Sequence, residues 1–448
     1  EVPALEASAG PTSWRLGELL DHDVANFDLS LSIGRHAEGA ALIFEYDREL
    51  FDEASIADMA EVYFGLLDSV DEPLVWVGEV ARQRVLSRNP AASPTAGFTA
   101  VHLKVAQQVQ RDPEAPALVD TAGCVHSYAS LNARVESIAA GLGESGVGQG
   151  DLVALLLRPG LDLVASVLAA LRSGAVYLPL DPDSPQPRID AMLADARPAL
   201  VMAADKAMAG NEPGWRTPDQ LAAATAPDAA PYQPAADAPA YALFTSGSTG
   251  RPKAVLVGHR ALAAAADSWR STYGLQAADR HLQMANSAFD VFTADWIRAL
   301  TTGACLVCCP REELLDPAAL ERRLVSERIS VAEFTPAVLR GLLAHWRERP
   351  PSLPSLRLLA AGGEAWFAQE YRELKELLGP GARLVNSYGV AEATVDSSWY
   401  EHAQGPAGDA PLPIGRPFPH ARLYVCDASG ELQPPGVPGE LCIGGAGV

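Results

Sequence analysis

No apolar run in this chain approaches the roughly 18 residues of a membrane-spanning helix, and no basic-then-apolar leader follows Glu1. Neither bilayer insertion nor export is indicated, and a cytoplasmic location is expected. Cysteine is scarce. Six residues, Cys124, Cys305, Cys308, Cys309, Cys426 and Cys442, show no paired metal-ligand spacing, and most lie in apolar strand-like runs, which reads as buried structural thiols. Positive charge is short as well, with 34 basic against 56 acidic residues and a net charge of −22. That balance repels nucleic acid and anionic lipid, so neither is expected as a partner, and a phosphate ligand would have to be held by a local site. No internal repeat of fixed period is visible. What remains is an ordinary globular composition, 48% hydrophobic and 20% charged over 448 residues, enough for two or more domains.

One stretch supplies the local phosphate site. Phe244-Thr245-Ser246-Gly247-Ser248-Thr249-Gly250-Arg251-Pro252-Lys253 concentrates hydroxyls, two glycines and a lysine in ten residues. The glycines let the backbone turn its N–H groups toward an anion, and the hydroxyls and Lys253 add donors and a positive charge. The apolar runs 241–244 and 254–257 read as buried strands, so the loop is expected as a hairpin-like connection held on a sheet. A solvated Ser/Gly linker would share the composition but not the flanking strands. The nucleotide loop of kinases and GTPases does not fit: Arg251 and Pro252 separate Gly250 from Lys253, and Ala254 stands where its magnesium-binding hydroxyl belongs.

In chain order, residues 1–86 form a first unit. Alternation over 27–33 and 40–46 predicts two half-buried strands. Ile56, Met59, Ala60, Tyr63, Phe64 and Leu67 then define one helix face, with Asp52 placed as N-cap. Residues 87–99, with Asn89-Pro90, Ser93-Pro94 and Gly97, read as a linker. From residue 100 onward strand and helix signals alternate: Leu118-Val119, a helix on Leu131, Val135, Ile138 and Leu142, the run 152–157, and a helix over 164–171 that Gly174 would end as C-cap. Residues 211–240 read as a surface loop. Strands are expected at 304–309, 329–334, 356–361 and 383–386, with a helix over 337–346, giving an α/β fold.

The phosphate stretch, preceded by Tyr241, resembles the phosphate loop of the adenylate-forming superfamily, most closely that of nonribosomal peptide synthetase adenylation domains. Further stretches resemble other core motifs of that family. His126 to Leu131 and Leu171 to Asp181 match the first two, both read as scaffold. Phe289-Asp290-Val291-Phe292-Thr293-Ala294-Asp295-Trp296 matches the fourth, in which an aspartate binds the substrate α-amino group, here Asp290. Without the match Asp290 could equally be a helix N-cap. Gly362-Gly363-Glu364 resembles the adenine-side loop. Asn386-Ser387-Tyr388-Gly389-Val390-Ala391-Glu392 resembles Asn-x-Tyr-Gly-Pro-Thr-Glu, which implies Asn386 and Tyr388 on adenine and Glu392 on magnesium. Val390 and Ala391 replace the family Pro and Thr, and losing that hydroxyl removes a phosphate donor worth about 1 kcal/mol. Residues 439–448 resemble the sixth motif. Residues 1–86 resemble the end of a condensation domain but lack its His-His-x-x-x-Asp-Gly, so no condensation activity is expected from them.

The resemblance implies an adenylate-forming large N-terminal subdomain with stacked mixed sheets over 100–448, and a small α+β segment before it. It implies ATP and Mg²⁺ as cofactors. Thr245, Ser246, Gly247, Ser248, Thr249, Gly250 and Lys253 would hold the phosphates. Gly362, Gly363, Glu364, Asn386 and Tyr388 would hold adenine, and Glu392 the metal. The implied partners are an amino acid, a phosphopantetheine-bearing peptidyl carrier protein and a condensation domain. The family's catalytic lysine has no counterpart in the 448 residues. An acyl-CoA or aryl-acid ligase of the same superfamily, and an idle nucleotide-binding scaffold, remain as alternatives. Counting from the motifs, the amino-acid pocket comprises Asp290, Val291, Ala294, Glu333, Leu359, Ala361, Ser387, Val395 and Asp396. With Asp290 committed to the α-amino group, Glu333 and Asp396 face an apolar pocket without a basic neighbour among these positions. Two unpaired carboxylates there are costly, so a basic substrate such as ornithine, lysine, arginine or a cyclic relative is expected. If Glu333 turns to a helix end and Asp396 caps a turn, glutamine is the runner-up.

Overall fold

The computed structural model describes residues 6–9, 12–15, 27–36, 39–68, 79–90, 98–204, 214–224, 230–246 and 252–448. Part of the 87–99 linker and residues 247–251 of the phosphate stretch thus lie outside the described residues. The chain divides into two compact units, one joining the described part of Glu1–Ala91 to Leu423–Ile443, the other comprising Ala92–Arg422 with Gly444–Val448.

In the first unit, the strands Leu29–His36 and Gly39–Tyr46 pair antiparallel along their full length. The helix Glu53–Asp68 follows and buries Ile56, Ala60 and Phe64. Asp52 caps it as its sequence position predicts, its carboxylate accepting the Ser55 N–H at 2.8 Å. Residues 423–443, expected within the 100–448 domain, group with this unit. Asn89 supplies a physical reason: its side-chain amide donates to the Leu423 carbonyl at 3.0 Å and accepts the Leu423 N–H at 2.7 Å, so it hydrogen-bonds that backbone as a neighbouring strand would.

The second unit is α/β, with a six-stranded and a nine-stranded sheet. In the nine-stranded sheet the strands Arg280–Gln283, Cys305–Cys308, Val331–Phe334, Leu358–Ala361 and Arg383–Tyr388 run parallel, and antiparallel strands close the edges. The inner strands are buried on both faces, as parallel strands between helical layers are. The largest core cluster draws on both sheets, with Val153 and Leu155 from one, Val331, Leu358, Ala360 and Val385 from the other, and Phe292 and Trp296 from the helix Asp290–Leu300. A second cluster covers the opposite face of the nine-stranded sheet through Ala332, Phe334, Leu359, Ala361, Leu384, Trp346 and Trp366.

Several sequence expectations are met. Leu131, Val135, Ile138 and Leu142 are the buried stripe of the helix Tyr128–Glu144, and Gly174 ends the helix Leu161–Ser173 with φ 80°. All six cysteines are free, and four are buried. Burial pushes the Cys305 thiol up to about 11 and Cys309 to about 12. The described part of 211–240, expected as a surface loop, contains regular elements. It holds the short strand Trp215–Arg216 and the helix Pro218–Ala222, started by a reciprocal capping box between Thr217 and Gln220.

Tyr128, from the first core motif, has a structural role. Its buried hydroxyl donates to the Ala304 carbonyl at 2.8 Å and lies 3.3 Å from the Leu300 carbonyl, where the helix Asp290–Leu300 leaves backbone oxygens without intrahelical partners. Tyr128→Phe is expected to cost about 1–2 kcal/mol, because a buried carbonyl loses its donor, and to lower the denaturant midpoint without changing its slope.

Candidate functional site

The candidate site lies at the C-terminal ends of the parallel strands, where open α/β sheets bind ligands. The chain leaves the strand Arg280–Gln283, turns, and enters the helix Asp290–Leu300 with Asp290 in its first turn. The neighbouring parallel strands bring Glu333, the Gly362-Gly363-Glu364 loop and Tyr388 to the same edge. The strand Pro239–Ser246 pairs antiparallel with Pro252–Gly258, setting Thr245 opposite Lys253, so the phosphate stretch does connect two paired strands. Its base is tied to the Asp290 helix. Tyr241 stacks on Tyr177 with ring centroids 5.4 Å apart, and the Tyr177 hydroxyl is 3.0 Å from Thr293 Oγ1.

Lys253 and Glu392 are exposed, and Ser246 ends its strand. Gly247, Ser248, Thr249 and Gly250 fall outside the described residues. Gly362, Gly363 and Glu364 follow the strand Leu358–Ala361, with Glu364 exposed 3.9 Å from Arg340. Tyr388 ends its strand half-buried, whereas the buried Asn386 amide donates to the Pro413 carbonyl at 2.9 Å.

Among the expected pocket residues, Asp290, Val291, Ala294, Glu333, Ser387, Val395 and Asp396 gather on one face of the sheet. Ser387 Oγ donates to Glu333 at 3.2 Å, and Ala294 and Val395 share one core cluster. The side chains of Leu359 and Ala361 do not join them, although Ser387 Oγ reaches the Ala361 carbonyl at 3.3 Å. The parallel register sets Glu333 level with Ala360 and Phe334 level with Ala361. Alternation along a strand therefore sends Leu359 and Ala361 to the opposite face, into the cluster around Trp346 and Trp366. The residues on the Glu333 face are Ala360 and then Gly362, whose missing Cβ would lie 2.5 Å from Ser387 Oγ. The one-residue offset came from counting along a motif; strand period corrects it.

The second correction concerns charge. Glu333 and Asp396 are not unpaired, because Arg298 bridges them, Nη1 donating to Glu333 and Nη2 to Asp396. Trp269 Nε1 also donates to Asp396 at 2.9 Å. The guanidinium carbon sits 4.6 Å from the Trp269 ring centroid and 5.5 Å from that of Tyr273, a cation–π arrangement. Burial alone would make Arg298 easier to deprotonate, but the two carboxylates hold it charged. Burial and the Glu333 charge, partly offset by Arg298, raise Asp396 to about 7. Asp290 is raised to about 6, by burial first and by the Glu333 and Glu392 charges, against the stabilising Val291 N–H. The Glu333 and Glu392 charges act on Asp290, and those of Glu333 and Asp290 on Asp396, which puts the four carboxylates in one electrostatic neighbourhood.

Sequence reasoning overlooked Arg298, Trp269 and Ala360. The signal for Arg298 was present: Asp290, Ala294 and Arg298 stand at i, i+4 and i+8, one stripe of a helix. The hairpin after Tyr388 holds Asp396 through an unusual backbone, with Thr394 and Val395 at φ 58° and 70°, costly for β-branched residues. Thr394 Oγ1 donates to the Gly447 carbonyl at 2.6 Å. No group of three or more potential metal ligands occurs among the described residues, and no helix there is long and apolar enough to cross a membrane.

Comparison with known proteins bears on these features. Residues 105–448 match the family described as AMP-binding enzyme. Gramicidin S synthase 2 of Brevibacillus brevis is 32% identical over 95% of this chain, which spans only 10% of that protein's length. The Klebsiella oxytoca NpsA N-terminal subdomain, in complex with 3-hydroxybenzoyl-AMSN, superposes with TM-score 0.70 at 27% identity, over 78% of this chain and 88% of that one. The four-domain nonribosomal peptide synthetase AB3403, bound to AMP and glycine, superposes with TM-score 0.80 at 26% identity, over 94% of this chain and 32% of that one.

Proposed function

From a chain that belongs to the AMP-binding enzyme family, we propose the following activity: it joins the carboxylate of an amino acid to the α-phosphate of ATP within a nonribosomal peptide synthetase. A carboxylate oxygen attacks the α-phosphorus and the bond to the bridging oxygen breaks, leaving aminoacyl-AMP and pyrophosphate. The acyl group then passes to the phosphopantetheine thiol of a peptidyl carrier domain, releasing AMP. Residues 100–448 form the adenylation core in this reading, and 1–86 the end of a condensation domain. The six free cysteines suit a reducing cytoplasm.

The observation that carries the proposal is Asp290. It is a half-buried carboxylate in the first turn of a helix whose Thr293 meets Tyr177, the ring that stacks on Tyr241 of the strand pair leading into the phosphate stretch. An α-ammonium group pairs with it, and a substrate without one, such as an aryl acid, leaves the carboxylate desolvated without compensation. Lys253 and the hydroxyls of Thr245 and Ser246 would neutralise the departing pyrophosphate, and Tyr388 would lie against adenine. Glu392 fits Mg²⁺, since it is an exposed oxygen donor whose charge acts on Asp290. The metal would supply charge neutralisation on the phosphates.

The basic substrate class loses its premise, because Arg298 provides the charge that Glu333 and Asp396 were expected to draw from a substrate. Pyrophosphate exchange with ATP, a panel of amino acids and 3-hydroxybenzoate tests the reading. Exchange is expected only with α-amino acids. Exchange with the aryl acid alone would instead indicate an acid ligase, and nucleotide binding without any exchange would indicate an idle scaffold.

A further inference from the structure

We propose that Arg298 sets the specificity of this site by occupying, from within the chain, the place of a basic substrate side chain. The site then takes an amino acid whose side chain is short and uncharged. This rests on the adenylation reading above.

Three observations support the placement. Asp290, Ala294 and Arg298 form one stripe of the helix Asp290–Leu300, successive members turned about 40° from one another. Asp290 stands in the first turn of this stripe and Arg298 near its C-terminal end. The guanidinium gives one N–H edge to Glu333 and another to Asp396 while Trp269 and Tyr273 cover its faces, so it is fixed in the position that a substrate cation would reach. Little open space is left around these side chains. Ala294, Glu333, Ser387 and Asp396 are at most 5% exposed, and only Asp290 and Val291 at the mouth are half-buried.

Stability alone does not explain the cluster. A buried ion triad is commonly replaced by apolar side chains of similar volume without loss of stability, yet here three ionisable residues converge below Asp290. Beside Arg298 lies a cavity of about 10 Å³, lined also by Tyr273, His281, Asp295 and Glu333. Truncating Arg298 would merge its volume with that cavity and leave Glu333 and Asp396 facing it, a pocket suited to a cationic side chain.

The test compares kcat/KM for glycine, alanine, serine, leucine, ornithine and lysine in pyrophosphate exchange by wild type, Arg298→Ala and Arg298→Lys. Wild type is expected to prefer the best of glycine, alanine and serine over leucine, ornithine and lysine by at least roughly tenfold. Arg298→Ala should shift the ratio at least roughly tenfold toward ornithine or lysine, whereas Arg298→Lys, which keeps a cation, should retain the wild-type order. Arg298→Gln, shorter than arginine but retaining N–H donors without charge, carries the comparison if the alanine variant does not fold. The proposal is overturned if wild type ranks leucine, ornithine or lysine first, or if removing the charge leaves the ratio unchanged. Calorimetric titration of ornithine and lysine separates this proposal from the adenylation reading. Binding to the neutral variants but not to wild type supports Arg298 as the determinant even without exchange, and binding to neither overturns it.

Discussion

Asp290→Asn should lose amino-acid-dependent pyrophosphate exchange by roughly 30-fold or more in kcat/KM while retaining affinity for an ATP analogue. Truncating one partner of a buried, hydrogen-bonded charge pair costs about 2–5 kcal/mol, and each 1.4 kcal/mol is about tenfold in rate. The asparagine keeps the volume at the helix start but cannot balance an α-ammonium. The pH dependence carries the same signature. Asp290 titrates at about 6 in the free protein, and the ammonium binds its ionised form, so kcat/KM should level off above pH 6 and fall as pH drops below it. That limb should be missing from the residual activity of Asp290→Asn. Stability runs the other way. A carboxyl whose pKa is raised on folding favours the folded state below its unfolded value near 3.8, and that contribution is lost as pH rises through 6. At pH 8 the Asn variant should therefore melt no lower than wild type. An unchanged kcat/KM in Asp290→Asn would remove the anchor on which the functional reading stands.

Gly389→Ala should be among the most destabilising single-methyl additions in the chain. A Cβ at this position would lie 1.9 Å from the Val395 carbonyl oxygen and 2.8 Å from both Asp396 Cα and Ser397 N. All three are backbone atoms of the returning arm of the hairpin, so no side-chain rotation relieves the overlap. Opening the hairpin would stretch the bond from Ser397 N–H to the Tyr388 carbonyl, now 2.8 Å. Overpacking of a tight core costs about 1–3 kcal/mol and occasionally more; here the upper end is expected, because two backbone segments must separate. The same hairpin carries Tyr388, Glu392 and Asp396, so ATP-analogue affinity should fall together with the denaturant midpoint. A wild-type midpoint and affinity in this variant would mean that the close approach of residues 389 and 395 is not maintained in solution.

The elements that build the sheet edge were legible wherever one face of a helix or strand is apolar. Leu131, Val135, Ile138 and Leu142 disclose their helix because burial follows the 3.6-residue period, and Asp52 and Gly174 disclose helix ends because few residue types serve there. Positions fixed by tertiary context were not legible in the same way. An arginine near the C-terminal end of a helix ordinarily interacts with the last carbonyls, so nothing in the local sequence of Arg298 says that it reaches across to Glu333 and Asp396. Only its eight-residue spacing from Asp290 hints at that. Leu359 and Ala361 went to the wrong face because motif counting ignores the strand's two-residue alternation. The helix Pro218–Ala222 was hidden by an Ala- and Pro-rich composition, although Thr217-Pro218-Asp219-Gln220 carries its own starting signal.

The Asn89 amide gives a practical warning for anyone dividing this chain into parts. By sequence the natural cut for isolating the nucleotide-binding portion lies in the Pro- and Gly-containing stretch 87–99. A cut at its C-terminal side discards Asn89 and exposes the N–H and C=O of Leu423 that the amide now satisfies, leaving a strand edge able to pair with another chain. A boundary placed before residue 89 keeps that edge covered, so the placement of a few residues can decide between a well-behaved fragment and a self-associating one.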